Sequence, residues 1–550
     1  TNNKQPTTNN QQPTTNNQQP TTILEIFSMV LPLIEKLGDW NPQLMRELKG
    51  RLKLRNRMIV LTISLLLQSF ILLGYSEVRR PYCSGNDCDD FSLTFNWLEI
   101  FRTLNWILPL VLFSIGIYIL IADLVREQRR GTLNFIRLSP QSSHSILLGK
   151  VLGVPILAYL GVALTLPLHF TAGILAGVPL GWTIGFYALI GAVCALFYTT
   201  AILNTLLNQA PYQAIAGSFL GIWLGSSFLG FFEVQFEWYP PTYRYLGDWY
   251  WFFWNLSSQP LLLTLWILIT ISVSTYWIWQ AANRLFHNPN RTMLSKQQSY
   301  WLVGSFQIWL LGLLWSQLNE STRQDYFFGC LFAVSLVTLF LFIAVMWATS
   351  PQRQTLLDWA RYEQGKTRAS QKLFNTSWAD LVLGKRSPVL VAITLNLAIT
   401  GIVWLPWVLL LPLSSQTKIQ AIAGLILSAN LILIYALINQ LILLKKRTKS
   451  GILTAGTLSV VILLPPVILS AFSLQKMTGI WLFSVFGAPW MMFNQASAIS
   501  VILSLLGQWV IMGGLSFYLT QQLQRAGESA SKSLFASSSV LPSLKMGNRE

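Results

Sequence analysis

The sequence has very little charge for its length. Only 11% of its 550 residues are Asp, Glu, Lys or Arg, whereas 53% are hydrophobic. A soluble globular domain carries about 25% charged residues, so this chain cannot cover a water-facing surface with polar groups. Its long charge-free stretches are of the length that crosses a bilayer as a helix. The composition therefore predicts an all-α membrane protein.

Histidine and cysteine are also scarce. The chain has three His and four Cys, and the three histidines, at 144, 169 and 287, are too widely spaced to form a metal-ligand set. Cys194 and Cys330 fall in apolar stretches and are predicted to be packing residues. We therefore predict no catalytic residues, no metal site and no cofactor in this chain.

Twelve apolar runs of roughly 17–26 residues predict membrane spans, six in each half of the chain. These runs contain no Asp, Glu, Lys or Arg. Ion-coupled carriers usually keep such charges inside the membrane, so the absence argues against ion coupling. The predicted spans are Met58–Gly74, Asn105–Ala122, Val151–Ala176, Trp182–Leu206, Tyr212–Phe232, Leu261–Ala281, Trp301–Gln317, Phe327–Ala348, Pro388–Pro412, Ile419–Leu444, Ile452–Phe472 and Ala498–Thr520.

The net charge of +17 is explained by membrane topology. An even number of spans puts both termini on one side, together with the loops 123–150, 282–300, 349–387 and 445–450. That side holds 31 of the 38 Lys and Arg residues and has a net charge of +20, against −3 on the other side. Positive loops stay in the cytoplasm, so both termini are predicted to be cytoplasmic. The basic charge then gives no reason to predict a nucleic-acid partner.

These patterns divide the chain into five segments. Residues 1–22 repeat a polar, proline-containing heptad and are predicted to be disordered. Residues 23–57 combine an apolar stretch with a basic run and predict an interfacial amphipathic helix or, alternatively, a positive-inside anchor without another role. The segments that follow are a first six-span half at 58–290, a second half at 291–520 and a cytoplasmic tail at 521–550.

The outer loop 75–104 contains Cys83 and Cys88. On the oxidising side of a membrane two such cysteines can form a disulfide. The neighbouring Asp87, Asp89 and Asp90 leave a metal site as the alternative.

A second outer segment, Trp238–Trp254, is dense in aromatic residues. Aromatic belts are typical of membrane interfaces, and a substrate exit gate is the compatible alternative.

The two halves repeat a pattern in the loop between their second and third spans. The first loop contains Arg130-Gly131-Thr132-Leu133 and ends with Leu148-Gly149-Lys150. The second contains Arg353-Gln354-Thr355-Leu356 and ends with Leu383-Gly384-Lys385. The same position in the topology favours a duplication over chance similarity. The second loop lacks the Gly-Thr pair and the Ser-Pro of the first.

The first loop resembles the coupling loop of ABC-2 type permeases, the membrane subunits of a class of ATP-binding-cassette exporters. The resemblance covers the charged residues 126–130, the Gly-Thr-Leu that follows them, Ser139-Pro140 and the closing Leu147-Leu148-Gly149-Lys150. Asn134 departs from the acidic residue that is common there. The topology of residues 50–290 is consistent with this family.

The resemblance implies a permease subunit that forms the path for ATP-driven export in a bacterial plasma (inner) membrane. ATP and magnesium would bind a separate ABC ATPase subunit, and with two fused halves no second permease copy would be needed. The loop would be a short helix in a groove of that ATPase, with Gly131 at a sharp turn and Thr132 as the helix cap. Leu133 and Phe135 would supply its apolar contacts, and Glu127, Arg129 and Arg130 a charged rim. The residues predicted to contact or position the ATPase are Glu127, Arg130, Gly131, Thr132, Leu133, Ser139 and Pro140, and in the second loop Arg353, Thr355 and Leu356.

An ATP site within the chain is not expected. Ala360–Thr367 fits a relaxed phosphate-loop spelling, but that motif needs a buried strand before it and a helix after it. The 38 residues of the loop 350–387 are also too few for a nucleotide-binding fold.

The rival class is a twelve-span secondary, ion-coupled transporter. Major-facilitator carriers usually place their long cytoplasmic loop between spans six and seven, where this chain has only residues 282–300. Here the longer loops lie between spans two and three and between spans eight and nine.

Overall fold

A computed structural model describes most of the chain. The described residues are 38–79, 83–84, 87–88, 92–207, 212–236, 249–319, 324–370, 378–384, 387–445, 450–474, 478–484 and 496–527. The predicted disordered segment 1–22 and the tail beyond residue 527 lie outside them. The chain divides into two compact units, residues 1–176 with 214–219 and residues 177–213 with 220–550.

The described residues are almost entirely helical, with three short two-stranded sheets. The helices are α1 Pro42–Arg51, α2 Leu54–Gly74, α3 Trp97–Val111, α4 Ile117–Arg129, α5 Thr132–Arg137, α6 Ser143–Gly153, α7 Ile156–Leu175, α8 Leu180–Leu207, α9 Gln213–Phe236, α10 Pro260–His287, α11 Lys296–Asn319, α12 Gln324–Thr349, α13 Arg353–Ser370, α14 Trp378–Leu383, α15 Leu390–Leu410, α16 Ser415–Leu444, α17 Ser450–Ala471, α18 Thr478–Trp481 and α19 Ala498–Gly527. The strands are β1 Ser76–Arg79, β2 Cys83–Ser84, β3 Asp87–Cys88, β4 Ser92–Phe95, β5 Tyr250–Trp251 and β6 Trp254–Asn255.

The prediction of an all-α membrane protein is confirmed. Within the described residues, nine helices are long and apolar enough to cross a membrane: α2, the continuous α3–α4, α7, α8, α10, α12, α15, α16 and α19. The other three predicted spans also fall on helices, namely α9, α11 and α17, so twelve spans stay a prediction.

In the first unit, α3 and α4 are one rod joined by a π-helical turn at Leu112–Gly116. Pro109 lies inside α3 just before that turn. Proline lacks the N–H that the ladder needs and clashes with the preceding turn, which accounts for the irregular geometry here. The rod ends at Arg129, beyond the apolar stretch and inside the loop that was predicted to couple to a partner.

The predicted interfacial segment 23–57 divides into two parts where the structure describes it. Asn41 caps the short helix α1, because its Oδ1 accepts a hydrogen bond from the Leu44 amide at 3.0 Å. Pro42 occupies the first helical position, where its missing N–H costs nothing. The chain leaves the helix at Leu52, and α2 begins at Leu54.

Helix α1 crosses α6 at very close range. Two glycines one turn apart on α6, Gly149 and Gly153, face α1. A Cβ on Gly149 would lie 2.8 Å from the Leu44 amide nitrogen, and one on Gly153 would lie 2.6 Å from the Cβ of Glu47. The Asn41 amide also donates to the Ser145 carbonyl at 2.8 Å. The Leu-Gly-Lys that ends the predicted coupling loop is therefore the docking face for α1.

The outer loop of the first unit forms a small antiparallel sheet. Strand β1 pairs with β4, and β2 pairs with β3 in a register that sets Cys83 opposite Cys88. Facing residues of antiparallel strands have Cα atoms about 4.5–5.5 Å apart, within the range that a disulfide spans. The backbone is thus compatible with the disulfide, which stays a prediction. Asp89 and Asp90 lie outside the described residues.

The second unit packs its long helices around aromatic and aliphatic cores. One core is built on Phe327, Trp404 and Trp407, and the indole N–H of Trp404 donates to the Gln307 side-chain oxygen at 2.8 Å. Helices α8 and α10 lie side by side. The division into units differs from the predicted boundary at 290/291, and the two-half organisation stays a prediction.

The crossing of α1 and α6 yields a paired test. Replacing Gly153 by Ala should lower the free energy of unfolding by about 1–3 kcal/mol, because the added methyl group overlaps Glu47. Replacing Gly50 by Ala should change it by less than about 1 kcal/mol in either direction, because nothing lies within 4 Å of its Cβ position. Denaturant titration of the two purified variants in detergent gives both values. Equal effects would contradict the close crossing.

Candidate functional site

The candidate site is the helix–turn–helix at residues 117–153, together with α1, all within the first unit. Its centre is the ammonium of Lys150, the last residue of the predicted loop motif. Lys150 is 1% exposed, and its Nζ lies 2.7 Å from Glu47 Oε1, 2.8 Å from Asp123 Oδ2 and 2.7 Å from Glu127 Oε1. These carboxylates belong to α1 and α4, so one side chain on α6 joins three helices.

Two arginines of α1 complete the cluster. Arg51 contacts Glu47 at 3.2 Å and Asp123 at 2.6 Å. Arg46 lies 3.0 Å from Glu127 and 3.4 Å from Glu47. Three carboxylates then face three cations, and the group has no formal net charge. Balanced charge with several hydrogen bonds is what makes the burial of ionised groups tolerable.

The protonation equilibria follow from this balance. Burial alone would lower the pKa of Lys150, but Asp123, Glu47 and Glu127 outweigh it and raise that pKa above its ordinary value. Burial alone would likewise raise the pKa of Glu47, but Lys150 and Arg51 together hold that pKa below its ordinary value. Both groups are therefore charged at neutral pH.

The same three carboxylates have the spacing of a cation site. One oxygen from each lies within 4.8 Å of the others. The Lys150 ammonium already supplies a positive charge within 2.8 Å of all three residues. We therefore describe the group as an ion-pair cluster and refer to Glu47, Asp123, Glu127, Lys150, Arg46 and Arg51 as the charge cluster.

The turn after α4 has the geometry that its sequence predicts. Gly131 has a φ of +74°, in the left-handed region that costs a residue with a Cβ about 1–2 kcal/mol. Gly131 is also the N-cap of α5, so the prediction that Thr132 caps this helix is wrong. The Thr132 hydroxyl instead donates to the Glu127 carbonyl at 3.1 Å and satisfies the end of α4.

Helix α5 presents one apolar face inward and another outward. Leu133 and Ile136 are 1% and 8% exposed, whereas Phe135 and Leu138 are 79% and 83% exposed. A short helix places residues three and four apart on one side, so Leu133 and Ile136 hold α5 to the unit. Phe135 and Leu138 leave an apolar pair in the open, which we call the exposed pair.

The predicted loop residues therefore separate into two groups. Arg130 and Pro140 are exposed and Ser139 is partly exposed, and all three lie in the turns that flank α5. Leu133, predicted to touch a partner, is buried. Glu127 was predicted to be part of a charged rim, but its side chain points inward and belongs to the charge cluster. The exposure of Leu138 was not predicted, although its position next to the Ser139-Pro140 turn could have indicated it.

In the second unit the corresponding loop begins with the long helix α13. Arg353 Nε donates to the Leu444 carbonyl at 2.9 Å, which ties α13 to the end of α16. Leu356 is 0% exposed and Thr355 is partly buried. Lys385 lies outside the described residues. The Ala360–Thr367 string lies within α13, so it forms no phosphate-binding loop.

Removing the central ammonium tests the charge cluster. Lys150→Met leaves three carboxylates close together without their shared cation, and breaking a buried ion pair in this way costs about 3–5 kcal/mol. Lys49→Met is the matched control, because Lys49 is exposed on α1. Thermal unfolding in detergent should show a much lower midpoint for Lys150→Met than for Lys49→Met. Similar midpoints would mean that the cluster does not hold the three helices together.

The pKa shifts predict a stability plateau with two limits. Glu47 has a lowered pKa, so its contribution is complete above about 4.5, its ordinary value, and is lost as the pH falls through the folded-state pKa. Lys150 has a raised pKa, so its contribution is complete below about 10.5 and is lost as the pH rises through the higher folded-state value.

Glu47→Gln isolates the acid limit. The variant should be less stable than the wild type at pH 7, and the difference should shrink as the pH falls below 4.5, because protonated Glu47 and Gln are both neutral. Unfolding midpoints measured across pH for the two proteins provide the comparison. A difference that stays constant down to pH 3 would contradict the assignment.

Comparisons with protein-family models, curated proteins and solved structures give no match.

Proposed function

We propose that this chain is the permease subunit of an ATP-binding-cassette exporter. In this proposal twelve spans, arranged as two fused six-span halves, form the translocation path in a bacterial plasma membrane, with both termini in the cytoplasm. A separate ABC ATPase binds ATP and magnesium. When ATP binds, the ATPase closes, and the loop 126–140 passes this movement to the spans.

The observation that carries the proposal is the exposed pair on an anchored helix. Phe135 and Leu138 are among the most exposed large apolar residues of the described chain. A contiguous apolar patch on a surface marks an interaction site, and positions 135 and 138, three apart, lie on one side of the helical turn. The turn at Gly131 and the buried Leu133 hold α5 in one orientation, so a force applied to the pair is passed to α4 and α6 rather than absorbed by a loose loop.

The charge cluster supports the transmission step. Its residues join α4, which continues from α3, to α6, which leads into α7 across the break at Val154-Pro155. A displacement of α5 therefore acts on both the second and the third predicted spans. The absence of charged residues from the predicted spans supports an energy source outside the membrane and disfavours the ion-coupled carrier.

The second loop would contact the same class of partner through α13. Tyr362 is 63% exposed there, whereas Arg353 and Leu356 serve the attachment of the helix. The two loops differ in structure, which supports an asymmetric pair of coupling elements on one chain.

Capture of the partner tests the proposal. The tagged protein, purified from its native membrane in mild detergent, should bring down an ABC ATPase. Phe135→Ser combined with Leu138→Ser should reduce this capture at least tenfold, because both side chains would lose their apolar contact. Both positions are exposed, so the double variant should fold normally. Trp40→Ser is the control for an exposed aromatic residue outside both loops, because Trp40 is 58% exposed.

Two results would contradict the proposal. One is the absence of any ATPase under conditions in which the protein is intact and its transport function is preserved. The other is full ATPase capture and full ATP-coupled transport by the double variant.

Gly131→Val should impair transport more than Gly131→Asn, since asparagine tolerates the left-handed region better than a β-branched residue.

A further inference from the structure

The basic run before the first predicted span divides into paired and unpaired cations. Arg51, the last residue of α1, points inward, and its Nη2 lies 2.6 Å from Asp123 Oδ1. Lys53 and Arg55 follow it and are exposed. Within the described part of the chain no carboxylate pairs with either of them. These two cations are therefore available for a contact outside the unit.

A third exposed cation lies at the same level on α4. Arg126 is exposed, and among the residues that the structure describes no carboxylate pairs with it. The contact of Arg51 with Asp123 sets the level of the two segments. From that contact Lys53 is two residues away, at most about 8 Å, and Arg126 is three helical residues away, about 4.5 Å. We call Lys53, Arg55 and Arg126 the cationic patch.

The patch lies where the apolar surface of the first predicted span begins. Leu54 and Met58, in the first turns of α2, are 66% and 51% exposed. Helix α2 is long and apolar enough to cross a membrane, and little of its surface is buried in the protein. Leu54 stands between Lys53 and Arg55 in the chain, so their charged ends lie at the boundary between hydrocarbon and headgroups, which long basic side chains reach readily.

Charge and level together select the ligand. The neighbouring charge cluster has no formal net charge, so it does not neutralise the three cations of the patch. The exposed face continues from them into the membrane through Leu54 and Met58. A soluble acidic protein cannot follow that face past the headgroups, and a free phosphate leaves it uncovered. An anionic phospholipid matches both parts, because its phosphate meets the cations and its acyl chains meet the apolar residues.

We propose that the cationic patch binds the headgroup of an anionic phospholipid. Lys53 and Arg55 hold the headgroup from α2 and Arg126 holds it from α4, while the acyl chains lie along the exposed face of α2. The lipid thus contacts two predicted spans at one membrane surface. This proposal does not rest on the transport function.

Photoreactive lipids test it. The full-length protein is reconstituted in phosphatidylcholine vesicles that contain a small fraction of phosphatidylglycerol or, in a parallel sample, phosphatidylcholine, with a diazirine near the top of one acyl chain. Irradiation, digestion and mass spectrometry map the adducts. Phosphatidylglycerol should label the first turns of α2 about tenfold more than phosphatidylcholine, because each cation near the surface adds to the attraction. Raising the ionic strength should reduce this labelling ratio.

Two triple variants form a matched pair. Lys53→Gln, Arg55→Gln and Arg126→Gln together remove the charge and should abolish the preference for phosphatidylglycerol. Lys53→Arg, Arg55→Lys and Arg126→Lys together keep every charge and should retain the ratio of the wild type. All three positions are exposed, so both variants should fold. Arg126→Gln alone should lower the ratio at α2 severalfold, because the proposed headgroup contacts both helices.

Equal labelling of α2 by the two lipids in the wild type would overturn the proposal and leave an acidic protein as the partner of the patch. So would an unchanged ratio in the glutamine variant, or an equal loss in the glutamine and charge-conserving variants. Displacement of phosphatidylglycerol by millimolar inorganic phosphate at constant ionic strength would also overturn it, because the patch would then be a site for free phosphate.

Discussion

The burial of one lysine among three carboxylates is the constraint on which the first unit depends. Lys150 is inaccessible to solvent, and its ammonium lies within 2.8 Å of Glu47, Asp123 and Glu127. A buried charge that loses its partners is strongly destabilising, whereas a paired one is nearly neutral. The cluster therefore fixes the relative positions of α1, α4 and α6 more than it stabilises the fold. It allows only the arrangement in which α1, α4 and α6 meet, and the glycines at 149 and 153 let α1 approach closely enough for Glu47 to reach the lysine.

That arrangement determines which side chains of the loop remain exposed. With Glu127 turned inward and Leu133 buried under α5, the polar and apolar anchors of the loop are already used within the unit. Phe135 and Leu138 are left exposed, and Arg130 is exposed in the turn before α5. The proposed contact with an ATPase is thus a small apolar surface, the exposed pair, that the buried side of α5 holds in place. A coupling element must be held in this way if movement is to reach the spans.

The sequence predicted the helical membrane architecture well, because the signal of an apolar run is summed over many residues. It also predicted the turn at Gly131, since only glycine adopts a positive φ at low cost. It did not predict the charge cluster, which joins residues up to 103 positions apart. The spacing of Glu47 with Arg51 and of Asp123 with Glu127 places each pair on one helix face, but no local pattern says that these faces meet. The burial of Leu133 was not predicted either, because a six-residue helix has too little periodicity to tell its inner face from its outer one.

Site-specific photo-cross-linking in native membranes can show whether the exposed pair contacts an ATPase. A photoreactive phenylalanine analogue replaces Phe135, and the adduct is identified by mass spectrometry. We expect a covalent adduct with a polypeptide that carries an ATP-binding cassette, and a much weaker one when the same analogue replaces Tyr118, which is 46% exposed on α4 within the membrane-spanning rod. Adducts at position 135 that contain only lipid would contradict the proposed contact.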